Sequence, residues 1–294
     1  MADATTALLL ALALLATGFA VAWGRALRAA PPAREPGADV GPPGWRSIVL
    51  GGVTNFFDTL GVGSFAPTTA VCRLLGLVPD RLLPGTLNVG HALPSVAQAL
   101  IFIAIIEVGP ATLAGMIAAS MAGAWLGAGA VARWPRRRVQ TGMGVALLVA
   151  AGFMLRQLVA GTPAGADAVS LDGARLVLGL AGNFVLGALM TIGIGLYAPC
   201  MILVTLLGMN VKAAFPIMMG SCAFLMPLAG WRFVTARAYA PRVALGLTLG
   251  GIPAVLLAAY VVRALSLGSV RALVVGVAVY TAATMLRAAA RDTA

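Results

Sequence analysis

T-L-G-V-G-S-F-A-P occupies residues 59–67, and T-I-G-I-G-L-Y-A-P occupies residues 191–199. The second stretch is the first displaced by 132 positions, and the correspondence runs on without a gap through Thr59/Thr191, Gly61/Gly193, Gly63/Gly195, Ala66/Ala198, Pro67/Pro199, Leu74/Leu206, Leu75/Leu207, Gly76/Gly208 and Pro84/Pro216. A chain that repeats a Gly-x-Gly…Pro break at one fixed spacing is built from two copies of one unit. Its fold depends on what that break does to the apolar segments around it.

Those segments dominate the composition. The chain is 61% hydrophobic and 10% charged, with a mean hydropathy of +0.98. A soluble globule of 294 residues cannot bury so much apolar surface, so an integral membrane protein is expected. No apolar-poor stretch is longer than Arg25 to Arg46, which leaves no room for a soluble domain. The net charge of +11 lies in short arginine clusters between apolar runs. That pattern orients helices in a bilayer, so lipid is the expected partner and nucleic acid is not. Cys72, Cys200 and Cys222 are odd in number and show neither C-x-x-C nor metal-ligand spacing. No disulfide framework, metal site or cofactor is expected.

Residues 4–24 fit the ~20 residues that a bilayer requires. Asp3 precedes them and Arg25, Arg28, Arg34 and Arg46 follow, the reverse of a cleavable signal peptide. The prediction is an uncleaved helix with its N-terminus outside, then a cytoplasmic Pro/Gly-rich linker from Pro31 to Gly44. Further apolar segments run over 47–77, 82–106, 112–132, 140–159, 176–209, 213–231, 243–262 and 270–286. Two are too long: as one helix, 47–77 would reach ~46 Å against a hydrocarbon core of ~30 Å. The Gly-x-Gly…Pro break interrupts both, predicting two half-helices that meet at a tip, either as a re-entrant hairpin or within one long crossing.

Arginine placement separates the two. With hairpins, fourteen Lys/Arg of the loops and tail fall inside and four outside, Arg271 being counted with the loop it borders; with single crossings the split is ten and eight. The positive-inside rule favours hairpins. The expected fold is therefore an all-α polytopic membrane protein. Residues 1–46 form an N-terminal transmembrane helix and linker, 47–159 a first repeat, 160–175 an external loop, and 176–294 a second repeat with the C-terminal tail. Each repeat is a re-entrant hairpin plus three transmembrane helices, and the halves have inverted topology. M-L-R at 154–156 and again at 285–287 ends each half.

Inverted repeats with broken helices point to a transporter whose site lies at the unwound backbone. The second half-helices begin around Ser64–Pro67 and Leu196–Pro199, so their free N–H groups and positive dipole ends favour an anion. The candidate binding residues are Thr59, Gly61, Gly63, Ser64, Pro67, Thr191, Gly193, Gly195, Tyr197 and Pro199. Arg73 joins them, unless it reaches toward the cytoplasmic interface. The alternative for the glycines is tight helix packing. Asp58, buried in an apolar segment beside the tip, is a candidate coupling residue; its counterpart is Met190, and its alternative role is to cap a half-helix or bond Asn55. His91, the single histidine, can share a helix face with Asn88 and Gln98. A proton relay through Asp58, Asn88 and His91 stands beside the plainer reading of a packed histidine.

N-F-F-D-T-L-G-V-G-S-F-A-P-T-T at 55–69, P-G-T-L-N-V-G-H at 84–91, G-I-G-L-Y-A-P-C at 193–200 and A-F-P-I-M-M-G-S-C-A-F at 214–224 resemble the TauE/SafE sulfite exporter family, also called TSUP permeases. The resemblance covers about 47–286 and leaves the helix 4–24 outside the family core. It implies a secondary carrier of the bacterial or archaeal cytoplasmic membrane for sulfite, sulfoacetate, sulfolactate or other organosulfonates, and not an enzyme. The commoner family tip is G-x-G-G-G, whereas this chain has Gly61-Val62-Gly63-Ser64 and Gly193-Ile194-Gly195-Leu196, which leaves the particular anion open. Alternating access around the two tips is the expected mechanism, with a proton or cation as coupling partner where transport runs against the potential. A passive anion channel and a thiol–disulfide carrier using Cys200 are the alternatives. The sequence sets no oligomeric state.

Overall fold

The computed structural model of the chain describes residues 2–29, 41–127, 135–159, 168–190 and 195–291. Regular structure among them is helical: α1 (Ala2–Arg28), α2 (Trp45–Thr59), α3 (Phe65–Leu74), α4 (Leu83–Gly90), α5 (Ala92–Ile105), α6 (Pro110–Ala122), α7 (Arg136–Val159), α8 (Gly173–Met190), α9 (Tyr197–Leu206), α10 (Ala214–Thr235), α11 (Pro241–Ala264) and α12 (Leu267–Arg291). Among the described residues, seven helical stretches are long and apolar enough to cross a membrane: Ala4–Arg28, Asp80–Ile105, Arg137–Arg156, Gly173–Met190, Val211–Thr235, Pro241–Ala264 and Gly268–Ala290. The chain is thus an all-helical, multi-pass membrane protein. The expected span 112–132 is represented by a shorter apolar helix, Pro110–Leu126, and its residues 128–132 lie outside the described residues. So do most of the predicted linker and residues 160–167 of the predicted external loop.

Both oversized segments are broken where the repeat places the break. The first divides into α2 and α3, the second into α8 and α9, and the two second arms are each ten residues long. Both arms also stop in the same way. The N–H groups of Leu77 and Gly76 bond the carbonyls of Cys72 and Arg73, and those of Met209 and Gly208 bond the carbonyls of Val204 and Thr205. This pairing needs a left-handed residue at the turn, supplied by Gly76 at φ +59° and Gly208 at φ +91°. The repeated Leu-Leu-Gly is a helix stop, used twice.

By packing, the chain forms two compact units, 2–104 with 222–261 and 105–221 with 262–294. This is a different division from the repeat, since each unit draws helices from both halves of the sequence. In the first unit α2 lies hard against α11: a Cβ on Gly51 would overlap the Leu247 backbone, and one on Gly250 would overlap the Ile48 carbonyl. Helix α1 docks through Trp23, whose Nε1 donates to the Tyr239 hydroxyl at 3.1 Å, and Phe19 stacks on Trp23 at 5.9 Å. Burial raises the Tyr239 phenol pKa, and the bond from Trp23 pulls the other way. In the second unit α6 and α8 meet where Gly187 faces the Ser120 carbonyl and Gly123 faces that of Phe184. Small residues at such crossings let backbones approach where lipid supplies no hydrophobic drive.

Candidate functional site

The first break is built by α2 stopping and α3 starting within a few residues. Past Thr59, the N–H of Gly61 bonds the Asp58 carbonyl at 2.8 Å and that of Val62 bonds the Phe57 carbonyl at 3.0 Å. Gly61 takes φ +97° and Gly63 φ +86°, conformations that cost an L-residue about 1–3 kcal/mol. Ser64 precedes α3 and makes no side-chain capping bond, and among the described residues its hydroxyl makes no hydrogen bond. Pro67 lies in the first turn of α3, where a missing N–H is tolerated. Gly61 and Ser64 are buried, while Gly63 and Pro67 are half-buried.

A second break lies beside the first, between α4 and α5. Pro94 has no N–H to give the Gly90 carbonyl, and Thr248 of α11 supplies the donor instead, Oγ1 to O at 2.8 Å. At this break His91, 0% exposed, stands between the two arms. Its Nδ1 lies 3.1 Å from Asn55 Oδ1 on α2, and its Nε2 lies 3.1 Å from Thr68 Oγ1 on α3. Two turns along, Gln98 Nε2 donates to Asp58 Oδ2 at 2.8 Å and to Thr59 Oγ1 at 3.0 Å. Asp58 is 3% exposed, a carboxyl enclosed at apolar depth beside the open backbone of the tip. The Thr59 hydroxyl donates in turn to the Asn55 carbonyl at 2.8 Å, so its proton is committed inside α2.

The structure thus gathers Asp58, Thr59, Gly61, Gly63, Ser64, Pro67 and His91 around one break. It does not bring Arg73 there. Arg73 is in the last turn of α3, at the opposite end from the tip, with its side chain 61% exposed and paired to Asp80 at 2.8 Å. In place of the expected anion contact, Arg73 makes an exposed ion pair with Asp80. Asn88 is half-buried and bonds the Pro84 carbonyl of its own helix at 2.8 Å, so the shared helix face does not join it to His91. Nor do His91 and Asp58 bond one another: both ring nitrogens go to Asn55 and Thr68. Thr191 and Gly193 of the second tip lie outside the described residues; Gly195 is exposed, and Tyr197 and Pro199 are buried in the first turn of α9.

Asn55, Thr68 and Gln98 were absent from the residues expected at the site. A signal for them exists in the repeat, since the positions 132 residues on hold Gly187, Cys200 and Gly230. A polar side chain in one copy facing a small or apolar one in the other marks chemistry that the shared scaffold does not require. All three cysteines are buried. Among the described residues no three His, Cys, Asp or Glu converge as metal ligands.

A family model described as sulfite exporter TauE/SafE matches residues 1–154, just over half of the chain. The chain belongs to the TauE/SafE family. The match begins at residue 1, so α1, expected to fall outside the family core, is part of the matched region. As a TauE/SafE protein the chain is a membrane transport protein of a sulfite-exporter family, and the polar break of α2 and α3 lies inside the matched residues. No curated protein and no solved structure matches the chain.

Proposed function

We propose that the protein is a secondary exporter of small sulfur-containing anions, sulfite or organosulfonates, across the cytoplasmic membrane of a bacterium or archaeon, working by alternating access around two re-entrant tips. The observation that carries this reading is the α2–α3 break. Its glycines open the backbone, Ser64 places a hydroxyl there that does not cap α3, and α3 directs its N-terminal N–H groups and positive dipole end at the tip, an arrangement suited to an oxyanion. In the repeat, Thr191, Gly193, Gly195, Tyr197 and Pro199 correspond to this tip and are the proposed binding residues of the second half.

Helix direction supports the hairpin in the first half. Asn55 is level with His91, and Asp58 and Thr59 are level with Gln98. Helices α2 and α5 therefore run parallel, as they do when α2 and α3 enter and leave by one face before α4 and α5 cross. Two successive single crossings would be antiparallel. With the cytoplasm negative, each exported negative charge gains ~2.3 kcal/mol per 100 mV, so export needs no ATP. Where transport runs against the potential, Asp58 is the group proposed to take a coupling proton or cation.

The test is sulfite efflux from proteoliposomes under an imposed potential. Saturable efflux that grows with interior-negative potential, and falls when organosulfonates compete, is the expected outcome. Flux that does not saturate, at rates above carrier turnover, would replace the carrier with a channel. No flux and no competition by any sulfur oxyanion would remove the substrate class.

A further inference from the structure

We infer that His91 is a positioning residue: a neutral imidazole that staples the two arms of the first hairpin and so holds the tip at Gly61–Ser64 in shape, without relaying a proton or touching substrate. The donor count fixes its form. Asn55 Nδ2 donates to the Gly51 carbonyl at 2.7 Å, so the Asn55 oxygen that faces His91 accepts, and Nδ1 bears the ring proton. The neutral ring then offers Nε2 as an acceptor, and the Thr68 hydroxyl donates to it. A protonated ring would donate from both nitrogens and force the Thr68 proton away. It would also bury a cation among Asn55 from α2, Thr68 and Phe65 from α3, and Thr248 of α11 at the adjoining Gly90, none of which is charged.

The staple is placed to matter to the tip. Asn55 lies one turn before Asp58 and Thr59, and Thr68 lies one turn after Ser64, so one ring fixes the last turn of α2 against the first turn of α3. It belongs to this hairpin alone: the repeat partners Gly187, Cys200 and Ala223 have neither the ring nor the side-chain oxygens to rebuild it. The tip contacts neither nitrogen, so the substrate would feel His91 only through the geometry of the arms.

The inference rests on the exporter reading for its flux measurements but not for its distances, which are taken on protein without substrate. Spin labels on Val53→Cys and Ala70→Cys, exposed positions on α2 and α3, report the separation of the arms in the full chain in liposomes. Thr68→Val is expected to broaden that distance and to lower sulfite efflux tenfold or more, while Thr68→Ser restores both. His91→Gln keeps one donor and one acceptor but cannot titrate. It is expected to hold the distance and to retain efflux within about threefold, with the wild-type pH profile between pH 6 and 8. The inference is overturned if Thr68→Val leaves the distance unchanged, or if His91→Gln holds the distance yet abolishes efflux or removes a limb of its pH profile, which would make His91 a proton carrier. Should the protein move no sulfur oxyanion, the distances in the Thr68 pair decide the staple alone.

Discussion

In the first broken segment Asn55, Thr68 and His91 join the two arms through contacts of 3.1 Å. At the same positions of the second segment stand Gly187, Cys200 and Ala223, and its arms α8 and α9 meet where Gly182 packs on the Leu203 side chain. The two segments nonetheless share a ten-residue second arm and the same glycine stop. The backbone break therefore belongs to the scaffold, set by glycine, proline and capping, and can be held by polar or by apolar contacts. The polar set is present in one copy and absent from the matching positions of the other. A buried hydrogen bond contributes a net ~0.5–1.5 kcal/mol, and orphaning one partner costs more, so the first segment is the less forgiving of change.

The sharpest way to break this comparison is to remove the amide that holds the carboxyl. Gln98→Leu leaves Asp58 Oδ2 and Thr59 Oγ1 without that donor in a buried site, and a loss of about 3 kcal/mol is expected. At the repeat partner of Asp58, Met190→Leu exchanges one apolar side chain for another of similar volume and should cost under about 1.5 kcal/mol. Thermal unfolding of the two variants in detergent measures the gap. Equal losses would mean that the polar contacts of the first segment stabilise it no more than packing does.

A smaller effect is expected at the α4–α5 break. Thr248→Val removes the donor to the Gly90 carbonyl and should cost about 1–3 kcal/mol. In a Pro94→Ala background the helix regains its own N–H at that position, and the cost of Thr248→Val should fall below ~0.5 kcal/mol. A double-mutant cycle gives the coupling directly; additive losses would show that the proline is not what makes Thr248 necessary.

Smaller again is the conformational cost at the tip. A Cβ on Gly63 would meet nothing within 4 Å, so only its φ of +86° opposes Gly63→Ala. The expected loss is about 1 kcal/mol, with a rise in the sulfite concentration at half-maximal efflux. Gly142 in α7 also has open space around it, yet it is an interior helical position, and Gly142→Ala should be stabilising by up to about 1 kcal/mol. A shared response would remove the argument from backbone conformation.

The two breaks were legible because they depend on local rules: glycine with little helix propensity, proline without a donor, and ~20 apolar residues per crossing. The repeat made them legible twice. Asp58 and His91 were legible as ionisable groups at apolar depth. Their partners were not, because Asn55, Thr68 and Gln98 lie 36, 23 and 40 positions from the groups they bond, and no periodicity along one helix says which face of the next it meets. His91 and Asp58 do not bond one another: His91 meets Asn55 and Thr68, and Gln98 donates to Asp58, partners that no pattern along the chain favours. The pairing of helices inside each unit, with α2 against α11 in one and α8 against α6 in the other, was likewise invisible, since the pattern of small residues that permits a close crossing does not name the partner.

Arg73 is where sequence and structure differ most over a single residue, and it supplies the smallest expected effect. A cation six positions beyond Pro67 suggests an anion ligand, but α3 carries it to the far end from the tip. At ~1.5 Å per residue that displacement along the axis is roughly 9 Å. There Arg73 and Asp80 are 61% and 69% exposed and bonded at 2.8 Å, and an ion pair so exposed contributes ~0–1 kcal/mol, less as salt rises. Arg73→Gln is therefore expected to change unfolding by no more than that, to lose even this difference at high ionic strength, and to leave the half-saturating sulfite concentration where it was. If affinity for sulfite falls tenfold in Arg73→Gln, the anion path includes the far end of α3, and the contrast between a polar tip and a plain exposed end has to be redrawn around that cation.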